Sequence, residues 1–398
     1  MKLIKLFIIL FPILILSEIR LNAQWVLLTK ESELSVRKGL DAMYNLRYNE
    51  ADSLFNKIIV QYPDNPVGNF LLGLVDWWRI ATNFDVSSKV QRYSDTYYDK
   101  LNKSISLADS KLSNNPRDIV GLFFKGAALG YKARLKVSNF GSSKSLTDVI
   151  SAAIEGQQAF QILQKCKTMM PSNSDVLLGS GLFYYFSDYL PKTYPQFKSA
   201  FGFLPPGDKT LGLQMLEISG RKALYSGVEA KYSQLEILSN LEGNHTKSLE
   251  VAKDLFSKYP NNPVFHKFLA KSYSLTLDLQ NAETEWINIL QNVKARKSGY
   301  ELSLAKQGLY YLGDIRLRQN KYESAILLYK ECVKVCKRMG VEEESGWAIL
   351  ANLKIGYSYD MLGKRKEAIN MYKDVLDMND FSKAHENAAK YLKTAYKQ

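Results

Sequence analysis

The sequence predicts an all-α fold: an α-solenoid of stacked helical hairpins with a central, aromatic-rich irregular insertion and a C-terminal capping helix. Two stretches between residues 306 and 378 share one spacing of small and aromatic residues. Segments rich in Asn and Pro, such as Tyr62–Pro66 and Tyr259–Pro263, recur between helical patterns. A helical unit that cannot bury its apolar face alone must stack on its neighbours. These observations predict serial hairpins rather than one globular core.

The two copies near the C-terminus carry the strongest pattern. The first contains Leu312, Gly313, Tyr322, Ala325 and Tyr329, and the second contains Ile355, Gly356, Tyr359, Ala368, Tyr372 and Val375. This pattern resembles the tetratricopeptide repeat, a unit of about 34 residues built from two antiparallel helices. The glycines and alanines fall where the two helices approach closest, because a larger side chain would separate them. The resemblance implies tetratricopeptide-like hairpins, with more copies upstream.

The Asn- and Pro-rich segments predict the hairpin boundaries. Pro63 cannot extend the preceding helix, because proline lacks the backbone donor. Asn65 is expected to cap the next helix, and Pro66 suits its first turn; the same arrangement returns at 259–263. The predicted divisions are a signal peptide at 1–23, N-terminal hairpins at 24–117, a hairpin with the insertion at 118–225, a C-terminal array at 226–380 and a capping helix at 381–398.

The segment from Ser382 to Tyr396 predicts the capping helix. Its small and apolar residues form one helical stripe, with lysines and Glu386 outside it. The stripe consists of Ala384, Ala388, Tyr391, Leu392 and Ala395. One apolar face and one solvated face suit the end of a solenoid, which needs a cap.

The region 179–220 breaks the repeat spacing. It opens with a helix that Pro191 is expected to interrupt, and Asp208 is expected to cap the helix that follows. Nine aromatic residues lie between residues 183 and 203. Such a density of Phe and Tyr must be buried or form a contact surface, since large exposed apolar patches are unusual on monomers. The candidates for lipid or hydrophobic contact are Phe183, Tyr184, Phe186, Tyr194, Phe197, Phe201 and Phe203.

The central part of the chain also resembles one particular family of repeat proteins. The resemblance rests on Gly181, Phe183, Ser187, Leu190, Pro191, Gly202, Phe203, Gly207, Asp208, Gly212 and Leu213. These residues are similar to the signature of a eukaryotic tetratricopeptide family that includes the yeast mitochondrial outer-membrane and inclusion-body clearance protein and its animal relatives. The match covers residues 118–300. It implies a non-enzymatic adaptor in which the insertion is a structural hallmark.

The N-terminus predicts export from the cytosol. Lys2 and Lys5 precede an apolar run from Leu6 to Leu16, which is too short to span a bilayer but typical of a secretory signal. Cleavage is expected after Ala23, and the alternative is an uncleaved N-terminal anchor. We therefore expect a periplasmic or extracellular protein, with membrane association left open.

The chain is strongly basic, with a formal net charge of +13. Removal of the expected signal peptide leaves +11, and such a surplus attracts acidic proteins or anionic lipid headgroups. Nucleic acid is not an expected partner of an exported protein. The basic residues are scattered among acidic ones, as in Lys364–Glu367, which is typical of solvated helix faces. Peripheral contact with an anionic membrane stays open.

No catalytic, cofactor or metal site is predicted. The sequence contains no phosphate-binding loop, dinucleotide-binding turn, zinc-protease motif or nucleophile elbow. The three histidines, His245, His266 and His385, stand far apart in the sequence. The three cysteines are too few for a disulfide framework and lack the spacing of a zinc site. We therefore expect a protein that is not an enzyme and holds no cofactor.

The leading hypothesis is a protein-binding scaffold. Stacked hairpins form a superhelix whose concave side, lined by the first helix of each pair, accepts an extended peptide or a partner helix. The candidate partner-binding residues are Tyr44, Asn45, Asn69, Lys271, Lys354 and Tyr357. The alternative is lipid or membrane-surface binding through the aromatic segment 183–203, because aromatic density and positive charge act jointly at an anionic surface.

Overall fold

Helices make up the regular secondary structure of the computed structural model, which describes residues 29–83, 87–138, 146–195, 198, 204–341 and 345–397. In these residues lie seventeen α-helices and one short 3-10 helix, with no strand among them. The predicted all-α class is therefore confirmed. The predicted signal peptide and the candidates Phe197, Phe201 and Phe203 lie outside the described residues.

The helices follow one another as antiparallel pairs. The first seven are α1 (Lys30–Tyr44), α2 (Tyr48–Gln61), α3 (Val67–Ala81), α4 (Ser87–Asn114), α5 (Ile119–Ser138), α6 (Leu146–Met169) and, after a 3-10 helix at Ser174–Val176, α7 (Leu177–Thr193). The next five are α8 (Lys209–Lys222), α9 (Gly227–Asn240), α10 (His245–Lys258), α11 (Pro263–Leu275) and α12 (Leu279–Lys294). The last five are α13 (Leu302–Arg318), α14 (Tyr322–Arg338), α15 (Gly346–Met361), α16 (Arg365–Leu376) and α17 (Ala384–Lys393).

Serial stacking organises the C-terminal part of the molecule. Every described helix packs against the next one along the chain. The first helices of successive pairs, α9, α11, α13 and α15, also contact one another in order. This second set of contacts makes them the inner layer of the superhelix, as expected for a solenoid. The predicted α-solenoid is confirmed.

Small residues lie where the two helices of each C-terminal pair cross. A Cβ added at Gly313 would lie 2.6 Å from a ring carbon of Tyr329, and Gly356 has the same relation to Tyr372. Ala325 and Ala368 are fully buried on the opposing helices. The sequence pattern thus predicted these contacts correctly, because each of them joins residues within one hairpin.

The Asn- and Pro-rich segments cap the helices that follow them. The Asn65 side-chain oxygen accepts a hydrogen bond from the Val67 N–H at 3.1 Å, and that of Asn262 accepts from the Val264 N–H at 3.0 Å. Asn262 is fully buried, and its amide also donates to the Tyr44 carbonyl at 2.9 Å. The second cap therefore joins α11 to the end of α1, a contact that the sequence pattern did not predict.

The N-terminal hairpins share a core with α9–α11. The Trp78 ring on α3 lies 5.4 Å from the Tyr44 ring, 5.1 Å from the Tyr232 ring and 5.4 Å from the Phe265 ring. These four side chains belong to one hydrophobic cluster that extends from α1 to α11. The chain therefore closes on itself over its first eleven helices, and the predicted division at residue 226 falls within this cluster.

The central insertion differs from its prediction at Pro191. The expected interruption is wrong, because α7 continues through Pro191 to Thr193, and the Tyr194 N–H donates to the Leu190 carbonyl at 2.9 Å. Pro191 lies in the last turn, where its missing N–H removes a single helical bond. Asp208 caps α8 as predicted, since its carboxylate accepts from the Leu211 N–H at 2.9 Å.

Two glycines of the family-like signature set the contact between α7 and α8. A Cβ on Gly212 would lie 2.6 Å from the Gly181 carbonyl oxygen and 2.7 Å from the Tyr185 nitrogen. Both neighbours are backbone atoms of α7, which cannot rotate away as a side chain can. Glycine at this position is therefore a packing requirement.

We expect Gly212→Ala to destabilise the protein by about 1–3 kcal/mol, because overpacking would push α7 and α8 apart. Gly156→Ala in the interior of α6 is the control. Its added Cβ would meet no atom within 4 Å, so the gain in helix propensity of about 1 kcal/mol should prevail. Urea denaturation followed by circular dichroism measures both; equal midpoints for the two variants would contradict the prediction.

The capping helix is shorter than predicted. Ala384 and Ala388 are fully buried against the cluster of α15 and α16, as the stripe predicted. However, α17 ends at Lys393, and Thr394 has extended backbone angles. The expectation that Ala395 continues the helical stripe is wrong, because the Tyr396 ring stacks on the Tyr357 ring and draws the chain away from the helix axis.

Candidate functional site

Two predicted partner-binding residues lie together on α15, in the inner layer. The Lys354 amine lies 2.8 Å from an Asp314 carboxylate oxygen on α13, and both side chains are partly exposed. Tyr357 lies one turn further along, half-buried among other aromatic rings. Burial raises the pKa of the Tyr357 hydroxyl above its usual value. Lys354, Asp314 and Tyr357 thus place a basic, an acidic and an aromatic side chain close together on the inner layer.

The chain's own C-terminal residues lie on this surface. The Tyr396 ring is stacked on the Tyr357 ring with 4.1 Å between centroids, and the Tyr396 N–H donates to Asp360 at 2.8 Å. The Arg365 guanidinium donates to the carbonyls of Tyr391 and Leu392 at 2.8 and 2.9 Å. Aromatic stacking together with bonds to main-chain groups is the way in which such a surface would hold an extended peptide.

Lys271 lies on α11, two hairpins away from Lys354 in the same inner layer. Its amine donates to the Asn240 side chain at 2.7 Å. Burial, together with the charge of Lys267, lowers the pKa of Lys271 to about 8. The pKa of this amine therefore lies well below that of an exposed lysine.

We expect Lys271 to react with a limiting amount of an acetylating reagent at pH 8, because a large share of its amine is neutral there. Lys267→Gln should raise its pKa and slow the reaction, and mass spectrometry of the peptides measures both. An unfolded lysine has a pKa of about 10.4. Between pH 8 and that value the unfolded chain binds more protons than the folded one, so this group makes stability rise with pH in that window. Equal labelling of Lys271 in both proteins at pH 8 would contradict the assignment.

The three N-terminal candidates do not join this surface. Tyr44 is 1% exposed, with its ring 5.2 Å from the Tyr259 ring, so it is part of the core and not accessible to a partner. Asn45 is half-buried and donates to the Asp41 carbonyl at the end of α1. Asn69 is half-buried on α3. The sequence placed these residues on first helices but could not show that α9–α11 cover part of that face.

A second candidate site is a cavity of about 560 Å³ between the N-terminal helices, α5–α7 and α9. Its walls are mostly apolar and include the Phe70, Leu74 and Leu178 side chains. Small residues provide the space: a Cβ on Gly156 of α6 would meet no atom within 4 Å. A largely apolar cavity of this size with a few polar groups is typical of a small-molecule site.

The predicted aromatic segment forms part of the cavity wall. Phe183, Phe186 and Tyr194 line it, as does Tyr189. Phe183 is buried and stacks on Phe160 at 4.1 Å, and Tyr184 packs edge-on against Phe160 at 5.3 Å. The described aromatic side chains are thus buried or half-buried, which is one of the two outcomes that the sequence allowed.

A charged cluster lies at one side of the cavity. The Arg134 guanidinium on α5 lies 3.3 Å from Glu229 and 2.9 Å from Glu236, both on α9. The Trp78 indole N–H donates to Glu229 at 2.6 Å. Burial lowers the pKa of Arg134, but the attraction of Glu236 and Glu229 outweighs this effect and raises it above its usual value. Arg134 therefore stays charged although it is largely buried.

Sequence reasoning missed this cluster. Glu229 is 2% exposed on α9, and Ser233 and Glu236 follow it at helical spacing on the same face. A charged residue at such a position is the signal that could have identified it, because carboxylates are rarely buried without a partner. The partner could not be named from the sequence, since Arg134 lies about a hundred residues earlier in the chain.

His266 and the three cysteines, side chains of types that can act in catalysis or metal binding, are buried and make structural contacts. His266 is 3% exposed, with its ring nitrogens 2.9 Å from the Tyr300 hydroxyl and 2.9 Å from Glu285. Cys166, Cys332 and Cys336 are buried thiols and form no disulfide with one another. In the part of the chain that the structure describes, no three His, Cys, Asp or Glu residues are placed to hold a metal ion. None of the described helices has the length and apolar character to cross a membrane.

Comparison with known proteins matches one segment to a family. The tetratricopeptide repeat matches residues 350–379, which span α15 and α16. No curated protein matches the chain. The resemblance of residues 118–300 to the eukaryotic clearance family is supported by none of these comparisons and stays a prediction.

Several solved structures are similar in outline. A tetratricopeptide repeat protein from Parabacteroides merdae is 16% identical, with a TM-score of 0.30 over 86% of this chain and 100% of that chain. The C-terminal part of a repeat protein from Cytophaga hutchinsonii is 13% identical, with a TM-score of 0.30 over 88% and 98%. The P58(IPK) TPR domain is 16% identical, with a TM-score of 0.25 over 91% and 88%. At these values the likenesses carry no conclusion about function.

The matched segment is the second of the two strong copies in the sequence. In it, the Gly356–Tyr372 contact joins α15 to α16, and Ala368 is buried between them. Residues 350–379 therefore match the tetratricopeptide repeat and lie within an α-solenoid of helical hairpins.

Proposed function

We propose that the protein is a non-enzymatic scaffold that binds a peptide or a partner helix on the inner face of its C-terminal hairpins. The observation that carries the proposal is the position of the chain's own residues 394–397. Thr394 has extended backbone angles, and Tyr396 lies on α15, held by the Tyr357–Tyr396 stack and the bond from the Tyr396 N–H to Asp360. A surface that holds this segment has the groups needed to hold a similar segment of another protein.

The test uses a photo-crosslinking amino acid in place of Tyr357 in intact cells. The matched control carries it in place of Leu327, which is 66% exposed on α14, a second helix of its pair. We expect a partner protein to crosslink at position 357 and not at 327. The variant Lys271→Glu should weaken the capture if the partner is acidic.

A second variant tests the role of the tail, the segment 394–397 that follows α17. Tyr396→Ala removes the ring that covers position 357 and should increase capture there, because the incoming segment no longer competes with residues 394–397. Equal crosslinking at 357 and 327, or the same capture with and without the Tyr396 ring, would contradict the inner-face proposal. Circular dichroism melting confirms that each variant is folded.

We also propose that the protein is exported through its N-terminal segment. The apolar run Leu6–Leu16, preceded by two lysines, supports this proposal. N-terminal sequencing of the protein purified from its native host tests it, with Gln24 as the expected first residue. A chain that keeps Met1 and sediments with membranes would support the anchor alternative instead.

A second candidate function is the binding of an apolar ligand by the aromatic segment. Phe183, Phe186 and Tyr194 line the cavity described above, and this placement favours an internal ligand over a membrane surface. The membrane version predicts that the protein co-floats with anionic liposomes at low salt. Absence of flotation, with retention of a small apolar ligand, is the result expected for the cavity version.

A further inference from the structure

The cavity differs in charge from the molecule as a whole. The chain carries a formal net charge of +13. Among the described residues that line the cavity, Arg134 is the one cation, whereas Asp175, Glu229 and Glu236 are carboxylates. Lys271 reaches the edge through its bond to Asn240, a lining residue, and the balance stays negative. An anionic headgroup in this cavity would be repelled, and a cationic one attracted.

The three carboxylates are not equally available. Asp175 accepts three backbone N–H groups from residues 224–226 at 2.7–3.3 Å. Glu229 is 2% exposed and has the Trp78 indole and Arg134 as partners. Glu236 is 33% exposed; one of its oxygens accepts from the Tyr232 hydroxyl and the other from the Arg134 guanidinium. Since a carboxylate oxygen can accept two bonds, Glu236 can accept another donor.

A buried hydroxyl without a partner lies beside Glu236. Ser233 is 2% exposed, lines the cavity, and its oxygen has no hydrogen-bond partner in the structure. It lies one helical turn before Glu236 on the same face of α9. A buried hydroxyl without a bond costs free energy, so a ligand group that bonds to it would recover that cost.

We propose that the cavity binds a lipophilic amine, with its apolar body among the aromatic and small side chains and its protonated head at Glu236 and Ser233. The proposal rests on the second candidate function above and specifies its ligand. The body would lie along Phe183 and Phe186, beside the open space at Gly156. The ammonium group would donate to the Glu236 carboxylate and the Ser233 hydroxyl, neither of which has all its acceptor positions filled.

The test compares three ligands with one chain length and different heads. Decylamine, decanol and decanoate are titrated into the full-length protein by calorimetry, below the critical micelle concentrations of the amine and the carboxylate and below the solubility limit of the alcohol. We expect decylamine to bind about tenfold more tightly than decanol, and decanoate to bind most weakly. Glu236→Gln should reduce the preference for the amine over the alcohol to near unity, because the head group then faces a neutral amide in place of a carboxylate.

Variants that fill the cavity locate the site. Gly156→Leu places a side chain in open space and should abolish decylamine binding without loss of stability, because its Cβ meets no atom. Gly130→Leu is the second variant, since its Cβ would have one neighbour, Ala159, at 3.8 Å. The matched control is Gln158→Leu, which adds the same side chain at an exposed position of α6.

The outcomes separate the ligand class from the cavity function. If all three ligands bind equally, or decanoate binds best, and Gly156→Leu blocks them, the cavity function stands and the amine proposal is overturned. If none binds, or if folded Gly156→Leu and Gly130→Leu bind decylamine like Gln158→Leu, both are overturned. An amine preference that depends on Glu236 and is lost in the filled variants supports both.

Discussion

Glu229→Ala is expected to destabilise the protein by about 3–5 kcal/mol, because it removes one of the two carboxylates that neutralise the buried Arg134 guanidinium. Arg134 is 12% exposed and has Glu229 and Glu236 as its carboxylate partners in the described structure. The change also removes the acceptor of the fully buried Trp78 indole N–H. Both effects act at the junction of α3, α5 and α9, so the loss should appear in the cooperative unfolding of the N-terminal part.

Urea denaturation followed by tryptophan fluorescence measures this effect, since Trp77 and Trp78 are both in the affected core. Glu217→Ala is the matched control. Glu217 forms an exposed pair with Arg221 on α8, and such pairs contribute less than about 1 kcal/mol. Glu229→Gln should lie between the two, because an amide can still accept from the indole. Equal losses of stability in the Glu229 and Glu217 variants would show that the cluster of Arg134, Glu229 and Glu236 does not stabilise the fold as expected.

Asn262→Ala is expected to cost about 2–4 kcal/mol, more than the removal of an ordinary helix cap. The cap on α11 accounts for about 1 kcal/mol. The remainder comes from the Tyr44 carbonyl, which loses its buried donor and is left unsatisfied at a cost of about 1–3 kcal/mol. Because this bond closes the N-terminal hairpins onto α11, its loss should also loosen α1.

Asn65→Ala is the matched control for this prediction. Asn65 caps α3 through the Val67 N–H in the same sequence context, but it is only half-buried, and its described cap bond lies within its own segment. The difference between the two variants in urea denaturation isolates the long-range bond. Hydrogen exchange of the α1 amides should accelerate in Asn262→Ala and not in Asn65→Ala. Equal losses in the two proteins would show that the bond to Tyr44 has no measurable effect.

The sequence predicted contacts within a hairpin and missed those between distant hairpins. Gly313 with Tyr329, and the caps at Asn65 and Asn262, depend on residues that are close in the chain, so their spacing identifies them. The Pro191 interruption was wrong because a proline in the last turn of a helix loses little. Tyr44 was placed on the binding face because its position in the first helix was known, whereas its contacts with α10 and α11 were not.

The sequence identified individual residues of the candidate sites but not how the fold brings them together. The aromatic density of residues 183–203 was evident, and the structure shows that several of these rings line a cavity. The charged wall opposite them was not evident, because Arg134 and Glu229 are 95 residues apart. On the inner face, Lys354 and Tyr357 were identified from their repeat positions, but the tail that lies on Tyr357 was expected to remain helical.

By itself, the sequence determined that the chain is a series of helical hairpins, where each one begins, and which small residues let its helices meet. These features follow from local periodicity, capping and side-chain size, which act between residues a few turns apart. Only the tertiary structure decided that the first eleven helices close on themselves, burying Tyr44 and joining Asn262 to it across 218 residues. The reason is that closure depends on the small rotation at every hairpin interface, and these rotations add up over a distance that no local pattern records.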